Sequence, residues 1–306
     1  MIARSMKIGT SGCVDLSLLA LISAHENGGT GCPPHESRLE VDTELAPDEL
    51  LFRVEDNRLQ LAVVSLDHLF DHALHHPESR VRILGPLLGG DCRALVTLTN
   101  RTQRTLGAAH PTAAYARWED ISCALDLECR YDRVEQVPLS AMTDAMMTSR
   151  HSMLEMNLFW EGVIGHRRGL IRSTARPSEF GIPEGLSHVL ISNSICVKNH
   201  ATELRGLRDE ISEVYRVFLE EPDRICEMWS SCGIFPKHAD NSFLSASARV
   251  LGPHCEQFLR CGGKFQPAQI ESHQRWFNSR VALRSPKDNI CRAGADIHRL
   301  LCDLWQ

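Results

Sequence analysis

The stretch that most constrains the fold is Lys7-Ile8-Gly9-Thr10-Ser11-Gly12-Cys13-Val14-Asp15-Leu16-Ser17-Leu18-Leu19. It reads as a short apolar strand, a turn of small polar residues and the start of a helix. A strand that feeds a helix through a tight turn is a unit of an open α/β sheet, and such sheets bind ligands outside the carboxyl ends of their strands. The helix start adds unpaired N–H groups and a positive dipole end, which favour an anion or a thiolate. Thr10, Ser11 and Gly12 are therefore candidate ligand contacts, with plain turn and N-cap roles as the alternative. Cys13 is a candidate nucleophile, with inert packing as its alternative.

The same rhythm recurs along the chain. Helix is expected over residues 14–25, strand over 38–45, helix over 47–56, strand over 59–64 and helix to about 75, where His76-Pro77 stops it. Strands follow at 80–88, running into Gly89-Gly90, and at 91–98. The polar patch at 99–105 marks a crossing between two units. The second unit repeats the pattern: strand 105–109, helix from Pro111 to about 125, strand 133–139, helix 140–149, strand 151–159 and a further strand near 170–172. A Pro/Gly loop at 176–185 leads to a strand at 186–193 that returns the chain to the first unit. The remainder reads as helix: 202–220, Pro222 to about 232, 242–251, 254–261, 267–277 and 293–304. The expected organisation is residues 1–100 as the first part of lobe 1, 101–192 as lobe 2, and 193–306 as the return to lobe 1 with a helical tail.

Composition narrows the function classes. The net charge is −6 and the Arg clusters are short, so no nucleic-acid partner is expected. No apolar run approaches the ~20 residues of a membrane span, so membrane insertion is not expected. No export signal is legible at the start, which makes the cytoplasm the default compartment. The twelve cysteines then read as reduced, mostly buried thiols. None forms a Cys-x-x-Cys or pairs with histidine at zinc spacing, so neither a metal site nor a cofactor is expected.

Further site candidates fall at the other strand ends. Ser65, Asp67 and His68 follow the strand at 59–64, and His68 is a candidate general base. Its plain alternative is a surface residue in a run with His72, His75 and His76. His110 and Thr112 open the second-unit helix and are candidate ligand contacts, His110 as an acid or anion contact; an ordinary helix cap, which Thr112 can supply, is the alternative. Gly90 lies where the chain nears the crossing, and Glu155 and Asn157 lie on the strand near the second-lobe crevice. Trp160, Trp118 and Tyr115 are candidates for stacking on an aromatic ligand or for core packing.

Two α/β lobes, the second inserted in the first, with a helical tail, resemble the type II periplasmic-binding-protein fold over nearly the whole chain. Three segments carry the likeness: the strand–Thr10-Ser11-Gly12-Cys13–helix, the stretch Asn57-Arg58-Leu59-Gln60-Leu61-Ala62-Val63-Val64-Ser65, and His110-Pro111-Thr112-Ala113-Ala114-Tyr115. They resemble most the nitrate, sulfonate and thiamine-precursor binding group. Cys13 and the segment Arg82-Ile83-Leu84-Gly85-Pro86-Leu87-Leu88-Gly89 are also similar to an aromatic sulfinate desulfinase on this fold. Ser11-Gly12-Cys13 and His110-Pro111-Thr112-Ala113 are similar to dihydroxynaphthoate synthase. The resemblance implies a small anionic or aromatic ligand in an inter-lobe cleft. The leading expectation is an enzyme, a lyase or hydrolase cleaving a C–S or C–C bond, with Cys13, His68 and His110 as its catalytic residues. The alternative is a non-catalytic solute-binding protein of the transporter type. The oligomeric state is left open.

Overall fold

The computed structural model describes residues 7–10, 40–42, 45–90, 92–99, 104–126, 131–148, 150–183, 186, 188–223, 226–227, 240–280, 296–302 and 304. Two five-stranded sheets organise them. The first holds β1 (Lys7–Thr10), β2 (Glu40–Asp42), β3 (Leu61–Val64), β4 (Val81–Pro86) and β10 (Val189–Asn193), in the order β2-β1-β3-β10-β4. The second holds β5 (Arg93–Leu98), β6 (Thr105–Ala108), β7 (Arg133–Gln136), β8 (Met153–Asn157) and β9 (Ile171–Ala175), in the order β7-β6-β8-β5-β9.

The two sheets share one plan. Each has three parallel strands, β2-β1-β3 in one and β7-β6-β8 in the other, followed by an antiparallel strand that arrives from the other sheet. That strand is β10 in the first sheet and β5 in the second. The chain therefore crosses twice, once between Pro86 and Arg93 and once between Ala175 and Val189. The first crossing comes earlier than the polar patch at 99–105 suggests. Arg93–Leu98 pairs with β8 and β9, so it belongs to the second sheet and not to the end of the first lobe. The cause is visible in its burial pattern: five of its six residues are buried, as a strand flanked on both edges requires.

Helices cover the sheets: α1 (Pro47–Glu55), α2 (Leu66–His75), α3 (Pro111–Ala124), α4 (Met142–Met147), α5 (Val163–Arg167), α6 (Ser194–Asn199), α7 (Ala201–Glu220), α8 (Asn241–Arg260) and α9 (Pro267–Arg280). No described helix is long and apolar enough to cross a membrane. Two apolar cores result, and each draws on both sheets and on the tail. One joins Ile8, Val63 and Leu84 to Val96 and Met156 and to Tyr215, Phe243 and Phe258. The other joins Val64, Phe70 and Ile191 to Leu106 and Met153 and to Ile270 and Phe277.

Three elements depart from the sequence expectation for physical reasons. Gly252-Pro253 reads as a break between two helices, yet α8 runs unbroken through Pro253. Leu251, Cys255 and Phe258 are buried along it, and that continuous apolar stripe outweighs the backbone bond lost at proline. The expected strand at 151–159 ends at Asn157 and passes into a single π-helical turn, Leu158–Gly162. The last expected helix, 293–304, is only a short 3-10 turn, His298–Leu300, among the described residues. Leu301 instead forms a parallel bridge to Ile83, and the Cys302 N–H donates to the Ile83 carbonyl at 3.0 Å, which covers the edge strand β4.

The crossings are clamped by the tail. The Leu87 N–H donates to the His188 carbonyl at 2.8 Å, which ties one crossing to the other. The Tyr215 hydroxyl on α7 donates to the Leu87 carbonyl at 2.7 Å. The Gly89 N–H donates to the His254 carbonyl at 3.0 Å, while the His254 ring at Nδ1 bonds the Gly89 carbonyl at 2.7 Å. This docking needs glycine: a Cβ at Gly89 would lie 2.5 Å from Gln257 Cβ and 2.7 Å from the Phe258 nitrogen.

Candidate functional site

The carboxyl ends of β1, β3, β6 and β8 carry Thr10, Ser65, His110 and Asn157 respectively or within two residues of the strand end, and all four are buried. Ser65 stands at the N-cap of α2 but leaves the helix N–H groups alone; its hydroxyl meets His68 Nδ1 at 2.7 Å. His68 also bonds the Ala109 carbonyl in the other lobe, which directs its ring proton there and leaves Nδ1 to accept from Ser65. Burial, with the neighbouring His110, pulls the His68 pKa down to about 3, so the ring is neutral at ordinary pH. His110 is the N-cap of α3, and its Nδ1 accepts from the Ala113 N–H at 3.3 Å. The two rings meet edge to face with centroids 5.0 Å apart. One histidine from each lobe thus closes the junction. Thr112 is exposed, two residues beyond His110, the residue that does cap α3.

Below these rings lies a buried ion cluster. Asp67, in the first turn of α2, is fully buried. Arg117 on α3 donates from Nη2 to both Asp67 oxygens at 2.7 Å and from Nη1 to Glu155 Oε1 at 2.6 Å. Arg93, at the start of β5, donates to Asp67 Oδ2 at 3.0 Å and stands 3.6 Å from Glu155 Oε2. His273 of α9 completes the set through Nε2 to Asp67 Oδ1 at 3.1 Å. Burial alone would raise the Asp67 carboxyl, but Arg117, Arg93 and the His273 hydrogen bond outweigh it and hold the carboxyl well below its ordinary range. Two guanidiniums face two carboxylates, so these charges are paired as buried charge requires. Trp276 roofs it: the Arg117 guanidinium sits 5.1 Å from the ring centroid, and Trp276 Nε1 donates to Asp120 at 2.8 Å. Asp120 is also ion-paired with Arg280.

The structure brings together Ser65, His68 and His110, and it links Asp67 to Glu155. Asp67 and Glu155, expected as ligand contacts, are instead committed to Arg93 and Arg117. Asn157 lies two residues beyond Glu155 on the same strand face and opposite Arg93. Its Oδ1 is buried and accepts no hydrogen bond. Gly90 sits at the first crossing with a positive φ of 76°, a conformation glycine adopts without strain. Ser11, Gly12 and Cys13 lie outside the described residues. Trp160 packs against Phe243 and Trp118 against Tyr131, both edge to face, while Tyr115 is half-buried against the second core. His72, in the same histidine run as His68, is buried; it bonds Ser79 at 2.9 Å and stands 3.3 Å from Glu55.

Sequence reading missed Arg93, Arg117 and His273. A signal existed for two of them. Arg117 shares a helix face with Ala113, Ala114 and Ile121, and His273 falls between Ile270 and Phe277 at helical spacing; all of these neighbours are buried.

No family model matches the chain, and the comparison with curated proteins gives no sequence match. Solved structures do match over almost the full length. The ligand-binding component of an ABC-type import system from Staphylococcus aureus, with zinc bound, superposes with a TM-score of 0.69 at 12% identity over 96% of this chain and 99% of that one. The alkanesulfonate-binding protein from Xanthomonas axonopodis pv. citri, bound to MOPS, gives 0.69 at 11% over 97% and 98%. The periplasmic nitrate-binding protein from Synechocystis PCC 6803 gives 0.61 at 11% over 98% and 87%.

The chain therefore has the two-lobed α/β fold of these periplasmic binding proteins, in agreement with its strand order. These neighbours correct the expectation of an enzyme: they are binding proteins, one of them the ligand-binding component of an import system, and they favour the binding alternative over C–S or C–C cleavage.

Proposed function

We propose that this protein is a non-catalytic solute-binding protein that takes a small molecule at the junction of its two lobes. The observation that carries the reading is the meeting of hydrogen-bonding groups from both lobes, Ser65 and His68 from one and His110 from the other, at strand carboxyl ends. That is where open α/β sheets receive ligands. The neighbours' ligands, alkanesulfonate and nitrate among them, support a small-molecule ligand in general and not a particular one. A cytoplasmic location belongs to the same reading: Cys196, Cys226 and Cys255 are buried free thiols, in keeping with a reducing compartment.

Incubation with a small-molecule extract of the source organism, followed by native mass spectrometry, tests the proposal. The expected result is a stoichiometric adduct whose ligand is released with its mass unchanged after hours at 25 °C. Appearance of a converted product in step with protein concentration would refute the non-catalytic reading.

A further inference from the structure

The tail of the chain bridges the two lobes through α9, which lies on α2 of the first lobe and on α3 of the second. Each lobe meets a different pair of its side chains. Against α2 stand His273 and Phe277, four residues apart. Both rings stack on Phe70, with centroids 5.2 and 5.1 Å away, and His273 Nε2 reaches Asp67 Oδ1 at 3.1 Å. Against α3 stand Trp276 and Arg280, again four apart. Trp276 Nε1 donates to Asp120 at 2.8 Å, and Arg280 pairs with the same carboxylate. The Arg117 guanidinium covers the Trp276 ring, and Phe277 also meets the His110 ring edge to face at 6.4 Å. Residues three and four apart share a helix face, so one face of α9 holds both lobes.

The two grips are unequal. On the first lobe, His273 and Phe277 are fully buried, and the chain after α9 reinforces them. The Ile297 N–H donates to Gln274 Oε1 at 3.0 Å, Arg299 donates to the Ala73 carbonyl on α2, and Leu301 and Cys302 bond along β4. On the second lobe the hydrogen bond and the ion pair both fall on one carboxylate, Asp120, and Arg280 is 38% exposed. The neighbouring tail helix has another task. α8 holds the first crossing, where Gly89 and His254 exchange hydrogen bonds, and the crossings are the pivot about which two lobes turn. α9 holds the helices that such a turn separates.

We propose that α9 is a latch: it travels with the first lobe, fastens on Asp120 of the second, and lets the lobes part only when Trp276 and Arg280 release that carboxylate. Once released, α9 keeps its seat on Phe70, and the two crossings keep the lobes joined. The Asp67–Arg117 and Asp67–Arg93 pairs also run between the lobes and separate in the same motion. A molecule that enters between the lobes binds only the released fraction, so its apparent affinity is scaled by that fraction. The latch is testable with the protein alone, and its failure leaves the binding reading standing.

Amide hydrogen exchange of the full chain, read by mass spectrometry, tests it, because exchange reports local opening segment by segment. In Asp120→Ala, exchange should rise at least tenfold in α9 and in the first turns of α2 and α3 together, while β3 and β8 keep the parent rates. Trp276→Phe removes one of the two donors and keeps the ring, so it gives a second reading of the same kind should Asp120→Ala fail to fold. Asp120→Lys should open the junction further, and adding Arg280→Glu, which restores an opposite pair, should return the rates towards the parent's. Parent rates throughout the single variants would overturn the latch. Faster exchange in α9 alone would overturn it too, since the lobes would then be held without it. Equal acceleration in β3 and β8 would make Asp120 a support of the whole fold and not a fastening. Lack of recovery in the reversed pair would overturn the role given to Arg280.

Discussion

Replacing Asp67 by asparagine removes one charge and little volume from the most buried ionic group of the junction. Asp67 is 0% exposed and receives Arg117 at 2.7 Å, Arg93 at 3.0 Å and His273 at 3.1 Å. In the variant two guanidiniums face Glu155 alone, which leaves one positive charge buried and unmatched. Breaking a buried ion pair from one side costs about 3–5 kcal/mol. At the average unfolding entropy per residue, a chain of 306 residues has about 0.6 kcal/mol/K near its midpoint, so the cost is a Tm drop of roughly 5–8 °C. Differential scanning calorimetry reads it directly. Adding Arg93→Met restores charge balance, and the double variant should recover about 1–3 kcal/mol relative to the sum of the singles. A Tm within about 1 °C of the parent for Asp67→Asn, or strict additivity in the cycle, would refute the account of the cluster as a paired, water-free junction.

Two further outcomes follow from the same geometry. Burial holds His68 at a pKa of about 3, and burial with the facing His76 holds His72 at about 4. The unfolded chain therefore takes up protons below pH ~6.5 that the fold refuses. Stability should be flat above pH 7 and fall by up to about 1.4 kcal/mol per pH unit for each ring as the pH drops from ~6.5 towards those values. His68→Gln should lessen that slope, and a urea midpoint unchanged between pH 7.5 and 5 would contradict the burial of both rings. Gly89→Ala places a methyl 2.5 Å from Gln257 Cβ and 2.7 Å from the Phe258 nitrogen. A shift of α8 away from the first crossing should follow, with a loss of about 1–3 kcal/mol in urea unfolding. Parent-like stability would show that the crossing is not pressed against that helix.

The two-lobe plan was legible because buried strands and amphipathic helices alternate at lengths that short-range pattern reports. Ala201–Glu220 is found within one residue of its expected start, since a twenty-residue apolar stripe at helical spacing has no competing reading. The first crossing was misplaced because Arg93–Leu98 is a good strand in either lobe; only its partners, β8 and β9, decide which sheet holds it. Pro253 misled for a related reason. A proline is a local signal, and the burial that carries α8 past it is tertiary. At the site, strand ends pointed to Ser65, His68, His110 and Asn157. They could not show that Asp67 and Glu155 serve arginines, because those partners lie 26 to 50 residues away in sequence.

The most direct test of the central claim is a crystal structure of the protein grown with the small-molecule extract. Difference density is expected at the carboxyl ends of β1, β3, β6 and β8, within hydrogen-bond distance of Ser65, His68 or His110. Density lodged instead in the surface groove of about 520 Å³ lined by Leu158, Val163, Arg176 and Val250, with the lobe junction unchanged, would contradict it.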